Sequence, residues 1–578
     1  QEDTRERCPE CDGARLNPVA RAVRLPLAPA RGRTAAPSID EFSQMAVEEA
    51  LNFFKRVKLS GRSAAIARDI LPEITERLKF LREVGLDYLQ LGRGVPTLSG
   101  GESQRIRLAA QLGSNLSGVL YVLDEPTIGL HARDNEQLLA ALEKLKARGN
   151  SVLVVEHDEE TMRRADHIID LGPGAGVEGG HIVAAGTLRQ LYDNPASVTG
   201  KCLRGQKSYP TRGKRRTVAK HPAKNGTGTA SWLTLERVSK NNLKNLKIEF
   251  PLGRLVLVTG VSGSGKSTLI RECLLPALSE ALKRKKARAT EPRRAANGIS
   301  GFEGIQSVYE VDQSPIGRTP RSIPATYVGF FDEIRRLYSQ VPESRLRGYS
   351  PSRFSFNSAQ GRCPECDGAG NIKLEMSFLP PAFVKCEVCN GTRFNPETLD
   401  IQYRSKNIAQ ALELSVAEAL DFFGSVQKIK RPLQALCDTG LGYLKLGQNS
   451  PTLSGGEAQR VKLVSHLLTG LKEPDLFHAS AKRNLFILEE PTIGLHMADV
   501  KRLVEVVQRL VDAGHTVIVI EHNLEFIAEA DWIIDLGPEG GEEGGNIVAE
   551  GTPEQIARCK KSHTGRFLRE LLKQTASE

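Results

Sequence analysis

A glycine-rich segment of this chain has the composition of a phosphate-binding loop. It follows an apolar run, 255–259, and ends in Gly-Lys-Ser. Glycines let backbone N–H groups approach phosphate oxygens, and the N-terminus of the following helix faces the same negative charge. We expect Lys266 to reach the β- and γ-phosphates of ATP and the Ser267 hydroxyl to bind Mg²⁺. The predicted nucleotide-binding loop comprises Gly260, Val261, Ser262, Gly263, Ser264, Gly265, Lys266, Ser267 and Thr268.

A second motif occurs twice, as residues 97–105 and 452–460, and reads Thr-Leu-Ser-Gly-Gly-Glu-x-Gln-Arg. This is the signature of ATP-binding-cassette ATPases, in which one half of the molecule offers the phosphate loop and the other half its signature. A hydroxyl and two glycines at a helix N-terminus form an anion site. We therefore predict that Ser99, Gly100 and Gly101 complete the ATP site formed by 260–268. The reciprocal site has its signature at 453–457 but no loop in the residues given.

Acidic and polar residues follow the apolar runs of the second half. Glu489 and Glu490 come after 485–488, and His522 comes after 516–520. We expect Glu489 to hold Mg²⁺ and Glu490 to orient or deprotonate the attacking water. His522 is predicted to contact the γ-phosphate and Gln313 to sense metal and water. Cassette ATPases usually have Asp where this chain has Glu489, which puts metal geometry and hydrolysis rate at this site in question.

Six of the ten cysteines form Cys-x-x-Cys pairs. Two pairs are separated by nineteen residues, a spacing expected for tetrahedral Zn²⁺ held by two knuckles. Four thiolates leave no open position for a substrate, so the predicted site is structural. Its ligands are Cys363, Cys366, Cys386 and Cys389. Cys8 and Cys11 resemble half of another such site.

The elements that must position these groups occur in two copies of one domain. Glu125 to His131 returns as Glu490 to His496, and the Cys8 pair corresponds to the Cys386 pair. The first residues of the chain thus correspond to positions deep inside the second copy. The chain also begins with Gln1, so we interpret it as a fragment of a longer protein. The predicted fold is α/β, two P-loop cassette halves with inserted helical signature domains and zinc modules. The predicted division is 1–112 (remnant knuckle and signature region of the first cassette), 113–200 (its C-terminal lobe), 201–230 (basic linker), 231–275 (phosphate-loop lobe of the second cassette), 276–484 (inserted zinc module and signature domain) and 485–578 (C-terminal lobe).

Bulk properties suit a multidomain protein with ordinary cores, since the chain has 578 residues, of which 40% are hydrophobic. No apolar run approaches the roughly 20 residues of a membrane helix, so we expect a cytoplasmic protein. The net charge is +10, and residues 201–230 carry nine Lys or Arg and no acid. This segment is interpreted as a solvated tether, with non-specific phosphate contact as the alternative. A second basic run, 283–294, allows the same two interpretations.

Several stretches resemble the UvrA family, the damage-recognition subunits of bacterial excinuclease ABC. The most specific are residues 312–322 (Asp-Gln-Ser-Pro-Ile-Gly-Arg-Thr-Pro-Arg-Ser), 353–357 with the Cys363 knuckle, and 375–380. The resemblance covers nearly the whole chain. It implies an ATPase that dimerises, recognises distorted double-stranded DNA and loads a UvrB-type partner. The family's UvrB-docking region lies in the part of the first half that is absent here, so that partnership is inferred from the resemblance alone.

Two other functions remain open from sequence. A UvrA-like paralogue for resistance to DNA-binding drugs, acting without UvrB, is allowed by Glu489 and by the longer spacing from Cys11 to Leu98 than from Cys389 to Leu453 (87 against 64 positions). A transport or translation-type cassette ATPase is the other, although zinc knuckles inside the cassette count against it. No second carboxylate cluster or nucleophilic constellation indicates a nuclease.

Overall fold

The computed structural model describes residues 8–24, 37–57, 59, 61–98, 100–113, 116–174, 176, 179–205, 209–218, 231–287, 298–317, 319–374, 382–470 and 483–574. The predicted site residue Ser99, the stretch 375–380 and much of the two basic runs lie outside these ranges. Within them, no helix is both long and apolar enough to cross a membrane.

The first half contains nine helices among its described residues and two small sheets. Strands β1 (Leu120–Asp124) and β2 (Ser151–Val155) pair in parallel, and β3 (Ile168–Gly172) and β4 (His181–Gly186) form an antiparallel hairpin. The helices are Pro18–Ala22, Ile39–Gln44, Val47–Arg56, Gly61–Glu83, Gly100–Leu112, Ala132–Ala147, Glu159–Arg164, Leu188–Asp193 and Val198–Arg204.

The second half is built on two sheets, a zinc module and a helical domain. Its strands are β5 (Trp232–Val238), β6 (Leu246–Pro251), β7 (Leu255–Gly260), β8 (Ile299–Ser300), β9 (Ile305–Val311), β10 (Asn371–Leu374), β11 (Ala382–Lys385), β12 (Gln402–Tyr403), β13 (Lys406–Asn407), β14 (Arg483–Glu489), β15 (Thr516–Ile520), β16 (Trp532–Gly537) and β17 (Asn546–Gly551). A π-helical segment, Thr268–Leu274, continues into helix Leu275–Ala287. The other helices are Pro324–Val328, Phe331–Ser339, Pro342–Leu346, Pro396–Leu399, Ile408–Glu413, Val416–Phe422, Gln427–Asp438, Gly455–Gly470, Met497–Asp512, Leu524–Ala528, Pro553–Arg558 and His563–Gln574.

The main sheet of the second half has the order β17-β16-β7-β15-β14-β9, with only β17 antiparallel to its neighbour. Its central strands are apolar and buried on both faces, as parallel strands covered on two sides must be. The antiparallel sheet β6-β5-β8 covers one face, and helix Met497–Asp512 packs on the other. The carboxyl ends of β7, β14 and β15 therefore meet at one edge.

Two of the predicted domain boundaries differ from the observed ones. Strands β8 and β9 belong to the sheets of the cassette core, so the inserted modules begin after Val311 and not at 276. The predicted basic linker begins inside helix Val198–Arg204, and residues 209–218 pack against the second half. Over this described part the solvated-tether interpretation is wrong, because the arginines of 209–218 bond to acids and carbonyls of the second half.

The first half leaves apolar strand residues exposed that are buried in the second half. Val122 is 63% exposed and Leu171 66%, whereas their counterparts Ile487 and Leu536 are each 1% exposed. In the second half, β7 lies between β15 and β16, and the antiparallel sheet covers that face. Among the described residues, no strand lies between β2 and β3, and no sheet covers the corresponding face of β1 to β4.

Candidate ATP site and zinc centre

The phosphate loop begins where the fully buried strand β7 ends. Gly260 has φ +134°, and a Cβ there would lie 2.1 Å from the Leu536 carbonyl oxygen, so only glycine fits this close approach. Lys266 Nζ donates to the carbonyl oxygens of Gly260 and Val261, at 2.9 Å each. The ammonium group is thus held at the loop's inner surface, and its burial lowers the pKa of Lys266 to about 8.

The two predicted magnesium ligands are adjacent. The Ser267 hydroxyl donates to Glu489 Oε1 at 2.9 Å, and Arg271 Nη1 lies 3.1 Å from Glu489 Oε2. Arg271 also bonds Glu310, on β9. A hydroxyl and a carboxylate oxygen side by side suit a hard, oxygen-seeking cation such as Mg²⁺. Glu489 reaches Ser267 across the sheet, so the longer side chain still brings its charge to the predicted metal position.

The predicted catalytic residues converge at the ends of β14 and β15. Glu490 has φ +44°, and its carboxylate lies 3.9 Å from His522 Nε2. Gln313 Nε2 donates to the Glu490 carbonyl oxygen at 3.4 Å. Burial, aided by the charge of Glu521, raises the pKa of Glu490 to about 7, while burial holds the pKa of His522 well below its usual range. A carboxyl group with this pKa is suited to accept a proton near neutral pH.

Three buried polar atoms around the loop have no hydrogen-bond partner among the described residues. They are Ser262 Oγ, Ser264 Oγ and His522 Nδ1. Buried polar atoms are nearly always paired, so such a cluster indicates a missing ligand. Phosphate oxygens accept hydrogen bonds from hydroxyl groups, and the site therefore fits the phosphates of ATP.

The first half closes over this loop. Ser262 N donates to Asp134 Oδ2 at 3.1 Å, and a Cβ on Gly263 would lie 2.6 Å from the Tyr88 ring. The Tyr88 hydroxyl donates to Glu102, in the helix that Gly100 and Gly101 begin. The signature helix is thus tied to the phosphate loop of the other half through one tyrosine.

Sequence reasoning missed Tyr88, Asp134 and Arg271. The repeat held a signal for the first of these, because Tyr443 occupies the corresponding position of the second copy. The Tyr443 hydroxyl donates to Glu457 at 2.7 Å, as Tyr88 does to Glu102. The repeat also held a signal for Asp134, because Asp499 occupies the corresponding position of the second copy. Arg271 has no counterpart among the residues given and carried no such signal.

The four predicted zinc ligands lie together and are buried. Their sulfur atoms all fall within 4.8 Å of one another, and Cys366 Sγ lies 3.6 Å from Cys389 Sγ. Tetrahedral zinc with bonds of about 2.3 Å requires sulfur separations of about 3.8 Å. The cluster (Cys363, Cys366, Cys386, Cys389) therefore has the dimensions of a Zn²⁺ site.

The knuckle conformation is repeated at all three Cys-x-x-Cys pairs. The residue after each pair has a positive φ: Asp12 at +46°, Asp367 at +50° and Asn390 at +50°. Asp and Asn tolerate this left-handed region better than other non-glycine residues. Cys8 and Cys11 thus have the conformation of a zinc knuckle, although Cys8 is exposed and the pair joins no metal-binding group among the described residues.

Comparison with known proteins agrees with this geometry. UvrABC system protein A of Clostridium perfringens is 51% identical over 565 residues, 98% of this chain and 57% of that protein. The protein of the same name from Thermus thermophilus is 54% identical over 563 residues, 97% of this chain and 56% of its own length. The chain belongs to the UvrA family. The crystal structure of UvrA2 from Deinococcus radiodurans matches with a TM-score of 0.84 at 43% identity, covering 98% of this chain and 66% of that one. No family model matches.

Membership in the UvrA family confirms the predicted α/β fold with cassette halves. The chain spans just over half the length of the two curated UvrA proteins, 57% and 56%. Both share more identity with it than UvrA2 does.

Proposed function

We propose that this chain binds and hydrolyses ATP at a composite site formed by the loop 260–268 and the signature 98–102. Glu490 orients or deprotonates the attacking water, His522 contacts the γ-phosphate, and Gln313 senses metal and water. Glu489 and Ser267 hold Mg²⁺, while Lys266 balances the β- and γ-phosphate charge. The observation that carries this proposal is the set of buried, unpaired polar atoms on the phosphate loop and on His522.

We further propose that ATP turnover controls binding of damaged double-stranded DNA in nucleotide excision repair. The support is membership in the UvrA family, whose curated members here carry the name of the UvrABC system. A homodimer, loading of a UvrB-type partner and a cytoplasmic location belong to the same proposal. The drug-resistance paralogue and the transport or translation-type ATPase are not favoured, since identity is higher to the UvrABC proteins.

The zinc module offers a surface for the DNA backbone. Lys385 and Phe383 are exposed on the hairpin β10–β11, which emerges from the metal cluster. Arg393, four residues after Cys389, is 7% exposed and donates to the Gly447 carbonyl oxygen at 2.7 Å. It lies over the Phe356 ring and is not available to a phosphate. We therefore assign contact with the DNA backbone to the hairpin β10–β11.

The test of this function is Mg²⁺-ATP turnover with intact and with adducted duplex. We expect turnover by the parent chain and tighter ATP-dependent binding of the adducted duplex. Lys266→Ala should abolish ATP binding at the composite site, because it removes the cation that balances the phosphates. Glu490→Gln should retain ATP binding and lose turnover. Parental ATP affinity in Lys266→Ala, or parental turnover in Glu490→Gln, would refute the site assignment.

A further inference from the structure

A buried carboxylate connects the C-terminal region to the base of the phosphate loop. Asp535, on β16, pairs in register with Thr259, the residue directly before Gly260. Asp535 Oδ1 accepts from the hydroxyls of Thr259 at 2.7 Å and Thr564 at 2.8 Å, and its Oδ2 accepts from Ser562 at 2.6 Å. Movement of Thr564 is therefore coupled to the start of the loop.

The network continues into the first half through His131. His131 Nε2 lies 3.0 Å from Thr564 Oγ1, and His131 Nδ1 accepts from the Arg133 backbone N–H at 3.2 Å. Thr564 gives its own proton to Asp535, so His131 must donate from Nε2. Burial lowers the pKa of His131 to about 3, in agreement with a neutral ring.

His131 also contacts a residue of the proposed catalytic group. Its ring meets that of His522 edge to face, with the ring centroids 6.0 Å apart. Both histidines are buried, and buried side chains that touch cannot move independently in a close-packed interior. Besides its contacts with Ser262 and Gly263, the first half therefore also reaches the base of the loop and His522.

The second copy repeats this network with one difference. His496 Nε2 lies 3.1 Å from Thr199 Oγ1, and Thr199 and Ser197 donate to Asp170. Asp170 is the counterpart of Asp535. The residues given include no counterpart of β7 in the first half, so among the described contacts Asp170 reaches no phosphate loop. This second network joins the halves without reaching the loop, which makes it a matched control.

We propose that His131 and Thr564 are positioning residues for ATP hydrolysis, which transmit the docking of the first half to Thr259 and His522. Neither residue contacts the phosphates. The hydrogen bonds that run from His131 through Thr564 to Asp535 hold the base of the loop and His522 in one arrangement only when the halves are docked. This inference rests on the proposed ATPase function and adds the residues that couple it to closure of the two halves.

The test compares three threonine variants of the full chain. Thr564→Val removes the hydroxyl at similar volume, and we expect kcat for ATP to fall about tenfold, within the usual range of coupling between sites. KM should change far less, because the loop itself is intact. Thr564→Ser keeps the hydroxyl and should restore kcat. Thr199→Val should keep kcat within about twofold, as expected for a distant and independent site.

A histidine variant tests the other end of the network. His131→Asn can still cap helix Ala132–Ala147 but does not reach Thr564. We expect His131→Asn to lower kcat at least as far as Thr564→Val, because it removes both the hydrogen bond to Thr564 and the ring contact with His522. Equal losses in Thr564→Val and Thr199→Val would show that the networks only hold the halves together. Parental kcat in Thr564→Val would overturn the inference and leave the ATPase proposal intact, whereas a parent chain without turnover would overturn the ATPase proposal itself.

Discussion

Lys266 and Glu490 face each other in a buried site. Burial shifts the pKa of each group in the direction that favours its neutral form. Burial raises the pKa of Glu490 to about 7 and lowers that of Lys266 to about 8, while each charge partly offsets the shift of the other. In the proposed mechanism, hydrolysis requires an ionised Glu490 and a charged Lys266. The free protein therefore has both groups in the required state only within a narrow pH range.

We predict a bell-shaped pH profile of kcat/KM for ATP. Activity should rise with pH as Glu490 loses its proton near 7 and fall as Lys266 loses its proton near 8. The profile of kcat, which reports the ATP complex, should have its alkaline limb at higher pH, because phosphate charge raises the pKa of Lys266. Steady-state kinetics across this range checks both limbs. A flat kcat/KM profile would contradict the assignment of these two groups.

The zinc cluster gives a second prediction for single residues. Cys386→Ser should abolish tight zinc binding and unfold the module around 363–389, because structural zinc supplies folding energy directly. Cys8→Ser is the matched control and should leave the zinc content unchanged, since Cys8 is exposed and apart from the four buried thiols. Elemental analysis of the purified proteins measures this. Equal zinc loss in both variants, or none in the parent, would contradict the site.

Residue types and spacing were enough to predict that Cys363, Cys366, Cys386 and Cys389 lie together, because two Cys-x-x-Cys pairs at this spacing are typical of one metal site. The strand ends at 489 and 520 were likewise predictable from their apolar runs. Contacts between the two halves were not predictable from the sequence. His131 and Thr564 are 433 positions apart, and no periodicity indicates that they meet.

At the scale of elements, the segment 209–218 attaches to the strand that carries the phosphate loop. Arg216 Nη1 lies 2.9 Å from Asp531 Oδ2, and the same oxygen accepts from the Leu255 backbone N–H at 2.9 Å. Asp531 is 1% exposed. The basic composition of the segment did not predict this docking. A run of positive charge without acidic residues indicates a solvated segment as long as its partners elsewhere in the chain are unknown.

Arg216→Ala should therefore lower the free energy of unfolding by about 3 kcal/mol, since it leaves a buried carboxylate without its cation. Lys214→Ala, at an exposed position two residues away, should change it by less than about 0.5 kcal/mol. Denaturant titration of both variants makes the comparison. Similar stabilities of the two variants would show that the segment is not docked in solution.

At the scale of the whole molecule, residues 209–218 carry four positive charges and no acid in a chain of net charge +10, but three of the four are paired within the protein. Arg212, Arg215 and Arg216 pair with Asp512, Glu554 and Asp531. These arginines can contact DNA phosphates only by giving up partners within the protein. In the proposed function, long-range attraction to DNA comes from other basic residues, among them the exposed Lys385.

DNA affinity should fall steeply with salt, by about 0.9 log units per log unit of salt for each phosphate contact. Preference for a distorted duplex should persist, because deformation energy is not screened. Lys385→Gln should reduce the salt slope by about one contact on all sequences alike, whereas Arg212→Gln should leave it unchanged. Titrations at several salt concentrations test this. A larger slope change in Arg212→Gln than in Lys385→Gln would reverse the assignment.

The hydrogen bond between His131 and Thr564 also sets an order of events during synthesis. The first half acquires its partner for His131 only after 433 further residues have been made. At about 5–20 residues per second, this interval lasts roughly 20 to 90 s. During that time the surface around His131 must stay hydrated or be covered by a chaperone. The nascent protein therefore assembles the proposed ATP site only after helix His563–Gln574 has left the ribosome.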